Sequence, residues 1–229
     1  MRVVSVNVGI PREILYRGRT GRTGIFKEPV QGNVHLRKLN FDGDRQADLS
    51  VHGGLSKAVY VYPAEHYEHW RGKLDGLKLP WGAFGENLTS EGLFEETIQI
   101  GDRFRIGTAE VIVTEPRLPC YKLAVKFNRE DMIKLFLRSR RTGFYIAVER
   151  EGEVGAGDSI EFLGRDENAV TVAELVQVYL HGKKDREAME RVLQTKALPQ
   201  SWRAYFREQI EKMRREPRSA IVLHAESDN

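Results

Sequence analysis

The residues best able to do chemistry gather around one sulfur. Cys120 is the single cysteine among 229 residues and lies in Thr114-Glu115-Pro116-Arg117-Leu118-Pro119-Cys120-Tyr121-Lys122. Arg117 and Lys122 are three residues before it and two after, and nearby cations favour the thiolate, the form that attacks an electrophile or ligates a metal. Pro119 fixes its own φ and disfavours helix at Leu118, which makes the approach to the sulfur stiff. Two readings stand on this spacing alone: a thiolate in use, and a buried cysteine packing as a small hydrophobe.

Three other stretches carry usable groups. Pro11 to Pro29 sets Arg12, Arg17, Arg19, Arg22 and Lys27 among Gly18, Gly21, Gly24, Thr20 and Thr23. Glycines let backbone N–H groups approach a ligand and arginines fork onto phosphate oxygens, so this loop can cradle an anion or can be solvated basic surface. Asp48-Leu49-Ser50-Val51-His52-Gly53-Gly54 offers a histidine backed by two glycines, open to a ligand, although a lone histidine also serves as structure. In Trp81 to Leu88, Asn87 has an amide that both donates and accepts, suited to the edge of a heterocycle.

The elements that position these groups are mainly strands. Met1 to Gly9, with Val3, Val4, Val6 and Val8, predicts an opening strand, and Val34, Leu36 and Leu39 a second. Ala58 to Tyr62, Ile98 to Ile106, Gly107 to Val113, Gly143 to Glu149 and Gly157 to Phe162 continue the series, with prolines ending the strand before Cys120. Ala64 to Leu74 predicts an amphipathic helix with Tyr67 and Trp70 in the core, and Asn128, Glu130 and Asp131 open another that runs to about Arg138. Many short strands with few helices predict a mainly β fold, a β-barrel, over residues 1–165.

After Gly164 the pattern turns helical. Thr171-Val172-Ala173-Glu174 is a capping box, Asp185 caps a second helix, and Ser201 a third running to about Arg215. Residues 166–229 therefore form a small three-helix unit, in which Trp202, Tyr205 and Phe206 are either its own core or a docking face. Packing over the barrel mouth, covering an edge strand and forming a homodimer interface are its three candidate roles.

Composition narrows the classes. One cysteine excludes an internal disulfide framework and a multi-cysteine zinc site within one chain. The apolar runs are too short for a membrane helix and the N-terminus has no signal-peptide pattern, so a cytoplasmic protein is expected. A net charge of +3 does not argue for nucleic acid.

Taken together, Gly24-Ile25-Phe26-Lys27-Glu28-Pro29-Val30, Asp48 to Val59, Phe84-Gly85-Glu86-Asn87-Leu88, Arg117 to Lys122, and Arg141-Thr142-Gly143-Phe144-Tyr145 resemble the MOSC domain family, named for the C-terminal domain of molybdenum cofactor sulfurase. Their order and spacing, with the helical tail, are similar to the YiiM-like branch. The resemblance implies a MOSC-type β-barrel with a few peripheral helices that binds the molybdenum cofactor (molybdopterin), with Cys120 as direct ligand to molybdenum. It also implies reduction of N-hydroxylated compounds, hydroxylamines and base analogues of the 6-hydroxylaminopurine type, to amines, a detoxifying role.

The residues accord with that implication. A pterin-dithiolene cofactor brings its own sulfurs, so one cysteine is all the protein need add. Arg22 and Lys27 are candidates for its phosphate, His52, Lys57 and Asn87 for its pterin, and Arg117 and Lys122 for further cofactor contacts. Asp48 or His52 is the candidate acid for the departing oxygen. No dinucleotide fingerprint or iron–sulfur cysteine set is present, so electrons are expected from a separate reductase. The alternative, which the sulfurase relationship keeps open, is a sulfur or cofactor carrier using a Cys120 persulfide.

Overall fold

The computed structural model describes residues 1–47, 53–182 and 185–215. Its main sheet has eight strands in the order β12 (Ile160–Gly164), β8 (Arg103–Ile106), β9 (Ala109–Pro116), β10 (Phe144–Arg150), β6 (Val59–Pro63), β7 (Leu88–Glu91), β1 (Arg2–Val8) and β4 (Glu28–Pro29). Neighbours are antiparallel except β6 and β7, which run parallel. The far ends of the sheet meet. Val3 N–H donates to the Asp158 carbonyl at 2.9 Å, Gly157 N–H to Val3 at 2.9 Å and Ile160 N–H to Met1 at 3.0 Å, while Arg2 bridges Ser159. The expected barrel is thus a mixed sheet curled until its first strand reaches the lead into its last, rather than one continuous closed ladder.

Two apolar layers follow from the strand period. Alternate side chains point inward, so Val3, Val6, Val61, Val111, Val113 and Ile146 fill the space enclosed by the sheet. Outside it, α1 (His66–Lys73), α2 (Tyr121–Phe127) and α3 (Met132–Ser139) cover β6 with an aromatic layer of Tyr60, Tyr62, Tyr67, Trp70, Phe84, Phe127 and Phe136. The buried Trp70 indole donates to the Tyr62 hydroxyl at 2.6 Å, which satisfies the polar tip of each ring pair.

Three local expectations need correction. The basic stretch is a β-hairpin, β2 (Arg12–Tyr16) with β3 (Arg19–Thr23), because Arg17 and Gly18 both take positive φ and form the tight turn that suits twisted strands. Asn128 ends a helix instead of opening one: at φ 49° it is the left-handed cap of α2, a helix that sequence periodicity over seven residues was too short to reveal. Ser201 lies inside the first turn of α6 (Gln200–Arg215), which begins directly after Pro199, where a fixed φ favours helix initiation.

The capping box at Thr171 and Glu174 is formed at the start of α4 (Val172–His181), and Asp185 caps α5 (Arg186–Gln194) by accepting from Ala188 N–H at 2.9 Å. Val170 to Ala173 is pinned to the sheet domain through Ile100 N–H to Val170, Val172 N–H to Ile98 and Ala173 N–H to Glu95, each at 2.9 Å. Leu175, Val178, Met189, Val192, Leu198, Trp202, Phe206 and Ile210 then join the same buried cluster as the sheet interior. Core and docking face, offered as alternatives for Trp202 and Phe206, are one surface. No helix among the described residues is long and apolar enough to cross a membrane.

Full burial of each such side chain contributes about 1.5–3 kcal/mol, so a chain ended after Arg165 is expected to aggregate or melt well below the full-length protein. A soluble fragment with a wild-type melting temperature by circular dichroism would contradict the shared core.

Candidate active site

Cys120 sits at the junction of β9 and α2. Pro116 ends β9 opposite Phe144, Arg117 N–H donates to the Gly143 carbonyl at 3.2 Å, and Cys120 then takes extended backbone geometry immediately before α2. Its carbonyl accepts from Leu123 N–H at 2.9 Å, so the first turn of the helix fixes the backbone behind the sulfur. The side chain is half-buried and lines two cavities of opposite character.

The first is polar, about 640 Å³ and open to solvent. Five cations, Lys27, Arg45, Lys57, Arg117 and Lys122, line it among the described residues against one carboxylate, Asp44. Lys27 is spent on Asp44 in a buried ion pair, and burial lowers its pKa. Lys57 lies 3.6 Å from Glu115. Lys122 is 8% exposed and has no carboxylate within ion-pair distance among the described residues.

Arg117 is the most telling of the five. It is 5% exposed, with its guanidinium carbon 5.3 Å from the Tyr60 ring centre and 5.0 Å from that of Phe136. Those faces hold the plane of the fork, yet Nη1 is buried with no hydrogen-bond partner. A buried charged donor left unsatisfied costs on the order of 1–3 kcal/mol or more, so the cavity is built for a guest that supplies acceptors. An anion rich in oxygen, such as a phosphate or an oxo-heterocycle, fits this donor set. Gly85, at φ 86° against Ile25, lets the chain close the cavity floor where a Cβ would lie 2.6 Å from Ile25 Cγ1.

Tyr145, at the end of the Arg141 to Tyr145 segment, lines both cavities with Cys120. Burial pushes its hydroxyl up to about 12, with the positive charge of Arg117 pulling the other way, so it keeps its proton at neutral pH. Glu115 is the second group that spacing did not reveal. It is 3% exposed and accepts from Ser56 Oγ at 3.1 Å and from the Trp202 indole at 2.8 Å. Tyr145 alternates with Ile146, which fills the sheet interior, and Glu115 is its direct partner across a register shift, so hydrophobic patterning reveals neither.

The structure brings together Cys120, Arg117, Lys122, Lys57, Lys27 and Asn87 from the expected set. Asn87, however, has its amide engaged within the fold: Nδ2 donates to Asp44 at 2.9 Å and to the Asn7 carbonyl at 3.3 Å, and Oδ1 accepts from Tyr60 N–H at 3.3 Å. Arg22 is exposed on β3 and absent from the cavity lining, because alternation turns its neighbour Thr23 inward. Asp48 and His52 lie outside the described residues. Arg45, just past the Asp42-Gly43-Asp44 turn, takes a place on the wall that sequence reasoning gave to the hairpin. Among the described residues no group of three or more His, Cys, Asp and Glu side chains could hold a metal ion.

Comparison with known proteins bears on this site. Residues 48–161 match the MOSC domain model, and residues 170–212 match the model of the YiiM-like 3-alpha helix domain. The uncharacterized protein YflK of Bacillus subtilis is 44% identical over 92% of this chain and 95% of its own length. A protein named Reductase from Gibberella moniliformis is 34% identical over 62% of this chain, a region that spans only 26% of that larger protein. The crystal structure of YiiM from Geobacillus stearothermophilus superposes with a TM-score of 0.77 at 33% identity, covering 91% of this chain and 98% of that one.

Beneath the site, Lys126 ties α2 to the cavity floor by donating to the carbonyls of Ile25 at 2.8 Å and Gly82 at 2.5 Å. Burial lowers its pKa to about 8. Between there and its ordinary value of 10.5 the unfolded chain binds a proton that the folded chain has lost, so this group makes stability rise with pH across that window. In urea unfolding at pH 7.5 and 9.5, wild type is expected to gain stability relative to Lys126→Met. Parallel pH dependence in the two proteins would contradict this.

Proposed function

Because the chain belongs to the MOSC family, with the YiiM-like three-helix unit at its C-terminal end, we propose that it is a molybdenum-cofactor-dependent oxidoreductase that reduces N-hydroxylated compounds to amines. The observation that carries this reading is the half-buried Cys120 sulfur at the edge of a cavity lined with cations, where Arg117 Nη1 lacks a partner. The name of the Gibberella moniliformis protein is in keeping with a reductase.

The residues present fit the cofactor. Cys120 would be the protein's ligand to the metal. Arg117, Lys122 and Arg45 would donate to phosphate and pterin oxygens, and Lys57 would stand between that group and Glu115. Bound there, the cofactor supplies the two-electron exchange that cleavage of an N–O bond requires.

The chain's own residues do the rest. Conversion of R–NHOH to R–NH2 and water consumes two electrons and two protons, and the oxygen leaves more easily when protonated. Tyr145 retains its O–H at neutral pH and lines both cavities with Cys120. Tyr145 is thus the proton donor among the described residues. Asp48 and His52, outside the described residues, remain candidates for the acid that helps the oxygen leave. A separate reductase delivers the electrons.

With cofactor-loaded protein, a reduced dye and a hydroxylamine substrate, Cys120→Ala is expected to fall to background. Tyr145→Phe should lower kcat roughly 10²-fold with KM little changed. Substantial turnover by folded Cys120→Ala would remove the ligand role. No turnover by fully loaded wild type would favour a persulfide carrier.

A further inference from the structure

Two walls flank Cys120, and they differ in surface charge. On one side the second cavity lies between the end of β9 and the helical unit, with Tyr179, Trp202 and Tyr205 as its aromatic lining. The exposed cations Arg186, Arg191 and Lys212 of that unit are each paired with a glutamate. On the other side stands the β2–β3 hairpin, hydrogen-bonded as a sheet of its own. Its base, Thr23 and Gly24, lines the cation-lined cavity beside Arg45. Its strands lean on the start of α2: the Tyr16 ring is stacked 5.1 Å from that of Tyr121, the residue after Cys120, and a Cβ on Gly21 would lie 3.3 Å from the Tyr121 hydroxyl oxygen.

The hairpin joins charge to apolar surface. Arg19 and Arg22, exposed on β3, have no carboxylate within ion-pair distance among the described residues. With Arg12, Arg17 and Arg45 they outnumber Glu13 and Glu130 by three, which equals the net charge of the whole chain, +3. Leu15 and Ile10, at 72% and 70%, are the most exposed large apolar side chains among the described residues, and both belong to this segment. One exposed leucine needs no explanation, but two beside a patch that carries the chain's surplus charge have the composition of an interface.

We propose that this hairpin is the docking surface for the electron donor, a carrier protein whose exposed redox group is ringed by acidic side chains. This rests on the reading of the protein as a reductase without an electron input of its own. An acidic face complements the arginines and steers encounter, while Ile10 and Leu15 supply contact that excludes water. A donor seated there lies over Tyr121, one residue from the sulfur, and delivers two electrons per turnover. Nucleic acid would also meet the arginines, but it stacks on free ring faces, and those of the hairpin are taken. Tyr16 is flanked by Tyr121 and Arg17, and Arg12 lies 3.3 Å from the centre of the Phe26 ring.

Binding is measured on the full chain as purified, with flavodoxin as the acidic carrier and cytochrome c as the basic one. Saturable flavodoxin binding that weakens as salt rises is expected, with none of cytochrome c. Arg19→Glu and Leu15→Ser should each weaken it about fivefold or more, as at an interface residue that matters. Both side chains are exposed and outside the core, so the variants keep the fold. Arg186→Glu makes the same change in net charge on the helical unit and should leave binding unchanged.

Absence of flavodoxin binding, affinity indifferent to both hairpin variants, or equal weakening by Arg186→Glu would overturn the proposal. Displacement of flavodoxin by single-stranded DNA, with Leu15→Ser binding as tightly as wild type, would overturn it in favour of a phosphate-binding surface. The functional reading is separable. Hairpin-dependent binding by a loaded protein that turns over with neither reduced dye nor reduced flavodoxin supports the docking surface and contradicts only the reductase. Flavodoxin-driven turnover with an unchanged KM for the donor in both variants contradicts the surface and leaves the reductase standing.

Discussion

The carboxylate of Glu115 is the point on which the site depends. It is buried near the end of β9, five residues before Cys120, and a buried carboxylate is tolerated only when donors surround it. Its partners come from two separate parts of the chain: Ser56 and Lys57 from the short helical turn that leads into β6, and Trp202 from α6. Hydrogen bonds to a charged group are worth about 1.5–3 kcal/mol each, enough to fix the turn, the strand and the helix relative to one another. One side of that junction becomes the cation-lined cavity and the other the aromatic one.

The opposition of the two cavities at a single sulfur is what gives the arrangement chemical sense. Arg117 is held between the Tyr60 and Phe136 faces by the aromatic layer under α1, α2 and α3, so that outer layer presets the cation-lined side. The helical unit, continuous with the sheet interior, presets the other. Neither wall rests on a mobile side chain alone, which keeps the reorganisation needed on binding small. Cys120 and Tyr145 line both.

Much of this was legible in the sequence, for identifiable reasons. Strands announced by β-branched alternation, such as Arg2–Val8 and Ala109–Pro116, and helix starts announced by capping residues at Thr171 and Asp185 are where they were expected. Cys120 stood out because prolines and cations flank it. What was hidden required a partner distant in the chain. Glu115 reads as an ordinary charged residue until Trp202 folds onto it, 87 residues away. Arg22 and Arg45 exchanged importance because the basic stretch pairs with itself as a hairpin and turns Arg22 outward, a pairing that composition does not reveal. Asn87 looked like a ligand group and is a strut, since the buried Asp44 needs its amide.

The most direct test of the central claim is the number of sulfur atoms around molybdenum, by X-ray absorption at the metal edge, in cofactor-loaded wild type and Cys120→Ser. With Cys120 as a ligand beside the two dithiolene sulfurs, wild type should show three sulfur neighbours from these sources and the serine variant two. An identical sulfur shell in both proteins, with equal metal loading, would mean that Cys120 does not hold the metal and that the cation-lined cavity alone retains the cofactor.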